Sequence, residues 1–310
     1  MALLLSSISQ GLLWAIMAIG VYLTFRILNV ADLTAEGSFP LGAAVSTSLI
    51  VTGVAPWLSV LIALLGGMAA GLISGLLYTK WKIPALLSGI ITMTGLYSIN
   101  LRIMGQANIS LLGEGTLIRT VESFGLNKTN AVLLVGSIAV GLVILALHMF
   151  FHTEVGLAIR STGDNNEMSE ANGIRTNVMK VIGYMLSNGL IAMSGALLAQ
   201  NNGYADISMG IGTIVIGLAS IIIGEVFFRN LSIAKRLMTV VLGSVIYRLL
   251  ILIVLQMNVN PQDLKVFSAI LLALALRLPA VQNRLSKPKS KVKSTKMINK
   301  KGGALSWLQR

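Results

Sequence analysis

Apolar residues run on for most of this chain, broken at intervals by short polar stretches. Runs such as VLLVGSIAVGLVILALHMFF and VIGYMLSNGLIAMSGALLA approach or reach the roughly 20 residues that carry an α-helix across a bilayer. The pattern predicts spans at about 8–28, 39–55, 57–79, 84–104, 131–151, 177–200, 210–228, 236–256 and 262–279. The second is short and opens at Pro40, as a half-helix would. The fold class expected is an all-α polytopic membrane protein with eight to nine transmembrane helices and one short cytoplasmic helix. Residues 1–283 form the membrane domain, and 284–310 form a basic, disordered tail.

One polar break stands apart. GLAIRSTGDNNEMSEANGI, Gly156 to Ile174, holds Asp164, Glu167 and Glu170, three of eleven acidic residues in the chain. Asp164 followed by Glu167 reads as a capping box, and Asn172-Gly173 as a left-handed stop, so a two-turn helix is expected from Asp164 to Asn172. Such a helix buries little alone. It is either a solvated connector or a surface that docks on another protein.

A second pattern is an echo. ADLTAEGSFPLGAA from Ala31 and ADISMGIGTIVIGLA from Ala205 share Ala-Asp-aliphatic-hydroxyl, then a glycine-punctuated apolar helix. The two fall on opposite sides of the membrane in the order of spans above. An inverted repeat, the common plan of transporters, would give that opposition.

Composition adds to this. With 55% hydrophobic residues and mean hydropathy +0.82 over 310 residues, the chain has more apolar surface than a soluble domain of its size buries. The absence of cysteine excludes disulfides and thiolate metal sites. The net charge of +13 is concentrated at the end, where no acidic residue follows Asp263 and Arg284, Lys287, Lys289, Lys291 and Lys293 begin a basic run. Beside a last span, that run reads as a cytoplasmic end against anionic lipid rather than a nucleic-acid site. Walking back from it puts Lys80, Lys82, the Gly156 island and Arg229 to Arg236 inside, so each basic cluster obeys the positive-inside rule. Trp57 and Trp81 then sit at opposite interfaces.

Chemistry narrows the function further. No GxxxxGK[ST] phosphate loop occurs, so the usual ATP-hydrolysing arrangement is missing from this chain. No nucleophile, base and orienting acid can be assembled, which speaks against a membrane enzyme. His148 and His152, at i and i+4, lack a third ligand beyond Glu154 and sit at an inner helix end, where histidine suits the dipole; no metal is expected. Gly67, Gly71 and Gly75 form a ridge suited to close helix contact, within the chain or between copies. Thr94, Tyr97 and Asn100, with Ser187 and Asn188, are polar points on apolar helices and thus candidates for a pathway lining or for interhelical hydrogen bonds. Glu225 and Arg248 are charges inside spans, expected to be paired or functional.

The residues Gly156-Leu157-Ala158-Ile159-Arg160, Gly163-Asp164-Asn165 and Gly173-Ile174 resemble the cytoplasmic coupling loop of ABC importer permeases of the branched-chain amino acid and ribose type. LNVADLTAEGSFPLGAAV and VIGLASIIIGE are similar to the same group, most of all to its tryptophan and tyrosine transport branch. Where branched-chain members carry a glycine-rich turn, this chain has GEVFFRN, which points away from leucine or valine. The resemblance implies a permease that imports an aromatic amino acid, with branched-chain amino acids, sugars or nucleosides as the rival cargo. It implies that Gly156, Arg160, Gly163, Asp164, Glu167, Glu170 and Gly173 engage an ATPase. The implied partners are a second permease copy or close relative, two cytoplasmic ATPases that bind ATP and Mg, and an external binding protein. The rival from another class is a membrane scaffold that transports nothing.

Overall fold

The computed structural model describes residues 2–227, 232–257, 266–270, 272, 273 and 277. Among them, seven helical stretches are long and apolar enough to cross a membrane. These are Leu3–Ile27, Pro56–Thr79, Ala85–Met104, Lys128–Phe151, Thr176–Asn202, Ile207–Val226 and Ala234–Gln256. In chain order the helices are α1 (Ala2–Tyr22), α2 (Ala35–Val51), α3 (Pro56–Thr79), α4 (Ala85–Met104), α5 (Leu117–Glu122) and α6 (Lys128–Phe151). Then follow α7 (Glu154–Asp164), α8 (Asn166–Ala171), α9 (Thr176–Asn202), α10 (Thr213–Phe227) and α11 (Ile233–Gln256). The multi-pass, all-helical reading of the sequence therefore holds. The expected span 262–279 falls largely, and the tail 284–310 wholly, outside the described residues. The Tyr247 hydroxyl on α11 nonetheless reaches Ser268 Oγ at 2.7 Å.

Two local features depart from expectation. α2 does not open at Pro40 but at Ala35, with Thr34 at its N-cap position and no side chain capping it; the carboxylate of Asp32 accepts the Thr34 backbone N–H at 2.9 Å and turns the chain just before the helix. Pro40 lies inside α2 and donates no hydrogen bond to the Glu36 carbonyl. That carbonyl is approached instead by Gly210, where a Cβ would come within 2.0 Å of it. The other departure is at the end of α1, which widens into a π turn over Leu23–Ile27. Thr24 donates its hydroxyl to the Val21 carbonyl, and Asn29 turns the chain at φ 55°.

α9 is the axis of the bundle: 72% of the residues in its apolar stretch are buried, against 28% in α4. Small residues let it approach its neighbours. A Cβ on Gly67 would stand 2.3 Å from the Asn188 carbonyl oxygen, and one on Gly71 2.3 Å from that of Tyr184. The glycine ridge of α3 is thus a seam within the chain. α9 also crosses α1 antiparallel, with Ser187 Oγ donating to the Gly20 carbonyl at 2.7 Å and Ser194 Oγ to that of Leu13 at 2.8 Å.

The packing repeats. α9 lies against α2 and α3 as α1 lies against α10 and α11, with the α1–α9 crossing at the centre. The ADLT and ADIS segments occupy matching places before α2 and α10. In each the aspartate accepts the backbone N–H two residues on, Thr34 to Asp32 at 2.9 Å and Ser208 to Asp206 at 2.7 Å. Each also accepts an asparagine side chain, Asn188 at 2.8 Å and Asn108 at 3.2 Å. The echo is therefore a structural repeat of inverted topology. A feature with no forewarning in the hydropathy pattern is the two-stranded sheet of β1 (Asn108–Ser110) and β2 (Tyr204–Asp206), antiparallel with Ile109 opposite Ala205, which fastens two polar loops together.

Candidate coupling site and transport path

The Gly156 island is two helices, not one. Thr153 accepts the Gly156 backbone N–H on its hydroxyl and starts α7 well before Asp164, which is its last residue. The cap of α8 is Asn165, whose Oδ1 accepts the Met168 N–H at 3.0 Å, so the expected box at Asp164 is displaced by one residue. The stop is as expected: Gly173 has φ 81° and its N–H reaches the Glu170 carbonyl at 2.9 Å. A hydrogen bond of 2.7 Å between Ser161 and Ser169 joins the two helices.

The seven candidate coupling residues then divide by position. Gly156 and Gly163 are on the inner side of α7, where a Cβ would meet the Phe150 carbonyl oxygen at 2.2 Å and the Ile27 carbonyl oxygen at 1.7 Å. α7 consequently rests directly on the backbone of the π turn of α1. Glu167 is exposed. Glu170 is exposed too, yet its carboxylate accepts Thr176 Oγ1 at 2.5 Å and Asn166 Nδ2 at 3.1 Å, and these bonds hold its pKa below the ordinary carboxylate value. Between α7 and α8 lies a shallow groove lined by Leu157, Arg160, Ser161, Asp164, Asn165 and Met168. Leu157 and Met168 are 52% and 62% exposed at this groove, an exposure that single hydrophobic residues in a sequence do not reveal.

The five candidate pathway residues do not converge. Ser187 and Asn188 are buried in the core. Asn188 donates to Asp32 Oδ2 and accepts Ser38 Oγ at 2.8 Å each, while Thr34 donates to Ser74 at 2.8 Å, so the node binds α2, α3 and α9. Asn100 is buried against α2, with Nδ2 on the Gly37 carbonyl at 3.2 Å. Thr94 and Tyr97 are exposed on α4. There they join two residues not singled out beforehand, Ser98 and Arg102, also exposed. Thr94, Ser98 and Arg102 recur every four residues and make one polar stripe down the outer face of α4. Along the middle of α3 and α6 the exposed large residues, including Leu65, Ile73, Ile138 and Leu142, are aliphatic.

Both intramembrane charges have company. Glu225 on α10 forms an ion pair with Arg26 of the π turn. Arg248 lies over the indole of Trp14, its guanidinium carbon 4.4 Å from the ring centroid, and Trp14 in turn stacks on Phe39 at 5.3 Å. His152 Nδ1 and the His148 carbonyl are 2.7 Å apart, and among the described residues no group of three or more His, Asp or Glu is placed to hold a metal.

A bundle with an inverted repeat, a paired-helix island resting on one end and a polar stripe on its outer face belongs to a membrane transport subunit. Residues 3–276 match the family described as branched-chain amino acid transport system, permease component. The chain belongs to that family and is the membrane-spanning permease subunit of an ATP-binding cassette importer. It is 38% identical to the tyrosine transport system permease protein of Clostridioides difficile (strain R20291), over 93% of this chain and 95% of the relative. It is 32% identical to the uncharacterized protein RP368 of Rickettsia prowazekii (strain Madrid E), over 89% of this chain and 97% of the relative. The match to the autoinducer 2 import system permease protein LsrC of Salmonella paratyphi B is weaker, 26% over 63% of this chain and 55% of the relative. No solved structure matches. Membership brings an ATPase and a binding protein as partners of the class.

Proposed function

We propose that the chain imports an aromatic amino acid, tyrosine or tryptophan. The observation that carries this is its 38% identity, along nearly the full length of both chains, to a permease named for tyrosine transport. Two copies, or this chain and a close relative, pair through the α4 faces. Thr94, Ser98 and Arg102 then line a path between them, a polar stripe on one helix face that suits a wet passage. Arg102 offers a planar cation to the carboxylate of the cargo, and Tyr97 a ring edge to its side chain.

Two ATPases hold ATP and Mg2+ and dock on the α7–α8 groove through Leu157 and Met168. Their closure presses α7 onto the Ile27 carbonyl, and the π turn passes the displacement to the Asp32 segment and α2. The C-terminal end faces the cytoplasm, with its basic run against anionic lipid.

Uptake by vesicles carrying the chain with its ATPase and binding protein tests the cargo. Labelled tyrosine or tryptophan is expected to accumulate in an ATP-dependent manner and to be displaced by the unlabelled aromatic amino acids but not by leucine. Accumulation of leucine or ribose alone overturns the aromatic reading. Arg102→Gln is expected to impair uptake at least tenfold with the complex intact; normal uptake removes α4 from the path.

A further inference from the structure

We infer that the cleft between the π turn of α1, the coupling helix α7 and the start of α11 is a binding site for a phosphate group carried by an inner-leaflet lipid. The cleft has a volume of about 270 Å³ and is lined by Tyr22, Arg26, Ile27, Arg160, Asp164, Ser232 and Arg236. That volume is below the usual size of drug-sized ligand sites and suits a small anionic head group.

The three cations are all arginine and come from three different elements, α1, α7 and α11. A positive-inside bias alone accounts for basic residues on this side, but not for their convergence on one cavity or for the absence of lysine among them. Guanidinium groups match phosphate oxygens in pairs, which ammonium groups do not. Two carboxylates temper the charge. Glu225 is held on Arg26 and Asp164 lines the rim, so among the described residues three arginines against two carboxylates leave a net charge of +1. Arg236 is hydrogen-bonded to the Tyr22 side chain and so ties α11 to α1 at the cleft.

The place of the cleft favours a lipid. It sits where α1 ends and α11 begins, the level of the head groups on the side that holds α7. Assignment to the inner leaflet rests on the orientation proposed above. The site's own chemistry does not, so its failure and the failure of the transport reading separate cleanly. A bound phosphate bridges α7 to α1 and α11, and thereby stiffens the contact through which α7 acts on the membrane domain.

The test uses the full-length chain purified in detergent, with phosphatidylglycerol, phosphatidylcholine or inorganic phosphate added separately. Phosphatidylglycerol is expected to raise the Tm by more than about 3 °C, and phosphatidylcholine to leave it unchanged. The double variant Arg160→Gln, Arg236→Gln is expected to lose at least half of that shift, whereas truncation after Leu285, which removes the lysine-rich run, is expected to keep it. If the double variant does not fold, native mass spectrometry of Arg160→Lys decides: the wild type carries phosphatidylglycerol through purification and the variant sheds it. An equal shift from inorganic phosphate supports the phosphate site but transfers it to a soluble ligand. No shift from either source, an equal shift in the double variant, or occupancy of the cleft only on addition of an ATPase overturns the inference.

Discussion

Replacing Gly163 with alanine isolates the contact by which α7 bears on the membrane domain. An added Cβ would lie 1.7 Å from the Ile27 carbonyl oxygen, 2.8 Å from its carbon and 3.0 Å from Leu28 Cα. All three are backbone atoms, so no rotamer change relieves the clash. Bringing the first distance to 3.0 Å moves α7 off the π turn by roughly 1.3 Å, the difference between 3.0 and 1.7 Å. Overpacking of this kind costs about 1–3 kcal/mol. If the cost falls on the position of α7 rather than on the bundle, coupling weakens by about 5- to 150-fold. Gly141→Ala is the control: it is helical, exposed on α6, and an added Cβ meets nothing within 4 Å. The assay is ATP-driven uptake in vesicles, normalised to the amount of permease inserted. Gly163→Ala is expected to insert at wild-type levels and lose at least five-fold in uptake, with ATP hydrolysis no longer stimulated by the binding protein, while Gly141→Ala transports normally. Wild-type uptake by Gly163→Ala would refute the transmission route through Ile27.

Other perturbations read other parts of the molecule. Arg248→Met and Trp14→Leu, singly and together, are expected to show a coupling of about 1–2 kcal/mol in thermal unfolding, since a desolvated cation over an indole is worth that much; additive losses would mean that the stack contributes nothing. Glu167→Lys is expected to weaken pull-down of the ATPase more than Asn166→Lys, because Glu167 is exposed beside Met168 whereas Asn166 faces Glu170; equal effects would place the docking surface elsewhere. For Glu170 the folded pKa is below the ordinary 4.5, so its hydrogen bonds stabilise the α8 loop above that value and the contribution is lost as pH falls below it. Pepsin cleavage of the loop, normalised to a denatured substrate at each pH, is expected to rise below pH 4.5, and Thr176→Val is expected to shift the rise upward; an unshifted profile would exclude the Thr176 bond as its cause.

The spans were legible because length and apolarity are what a bilayer demands, and both are written locally. The inverted repeat was legible through Asp32 and Asp206, since an aspartate that caps its own chain leaves a short signature. The start of α2 was misread because Pro40 is a strong local signal, while the turn at Asp32 and Thr34 that leads into the helix carries no side-chain cap to announce it. The π turn has no signal of its own; it arises where the α1 end meets α7. The pathway candidates divided for a similar reason. A polar residue in a span has the same appearance whether it points at a neighbour, as Asn188 does, or outward, as Thr94 does. Ser98 and Arg102 went unmarked because, near the end of α4, polar residues look like the end of a span.

The bond between Asp32 and Asn188 has a consequence for how the chain is made. Its partners are 156 residues apart, and α9 arrives late in synthesis. At about 5–20 residues per second, a ribosome takes roughly 8–30 s to supply Asn188 after Asp32. During that interval α1, α2 and α3 are already made, and their acid, hydroxyl and glycine-ridged faces have no helix to cover them. The clamp that α1, α2 and α3 form therefore stays open until α9 is made and closes it.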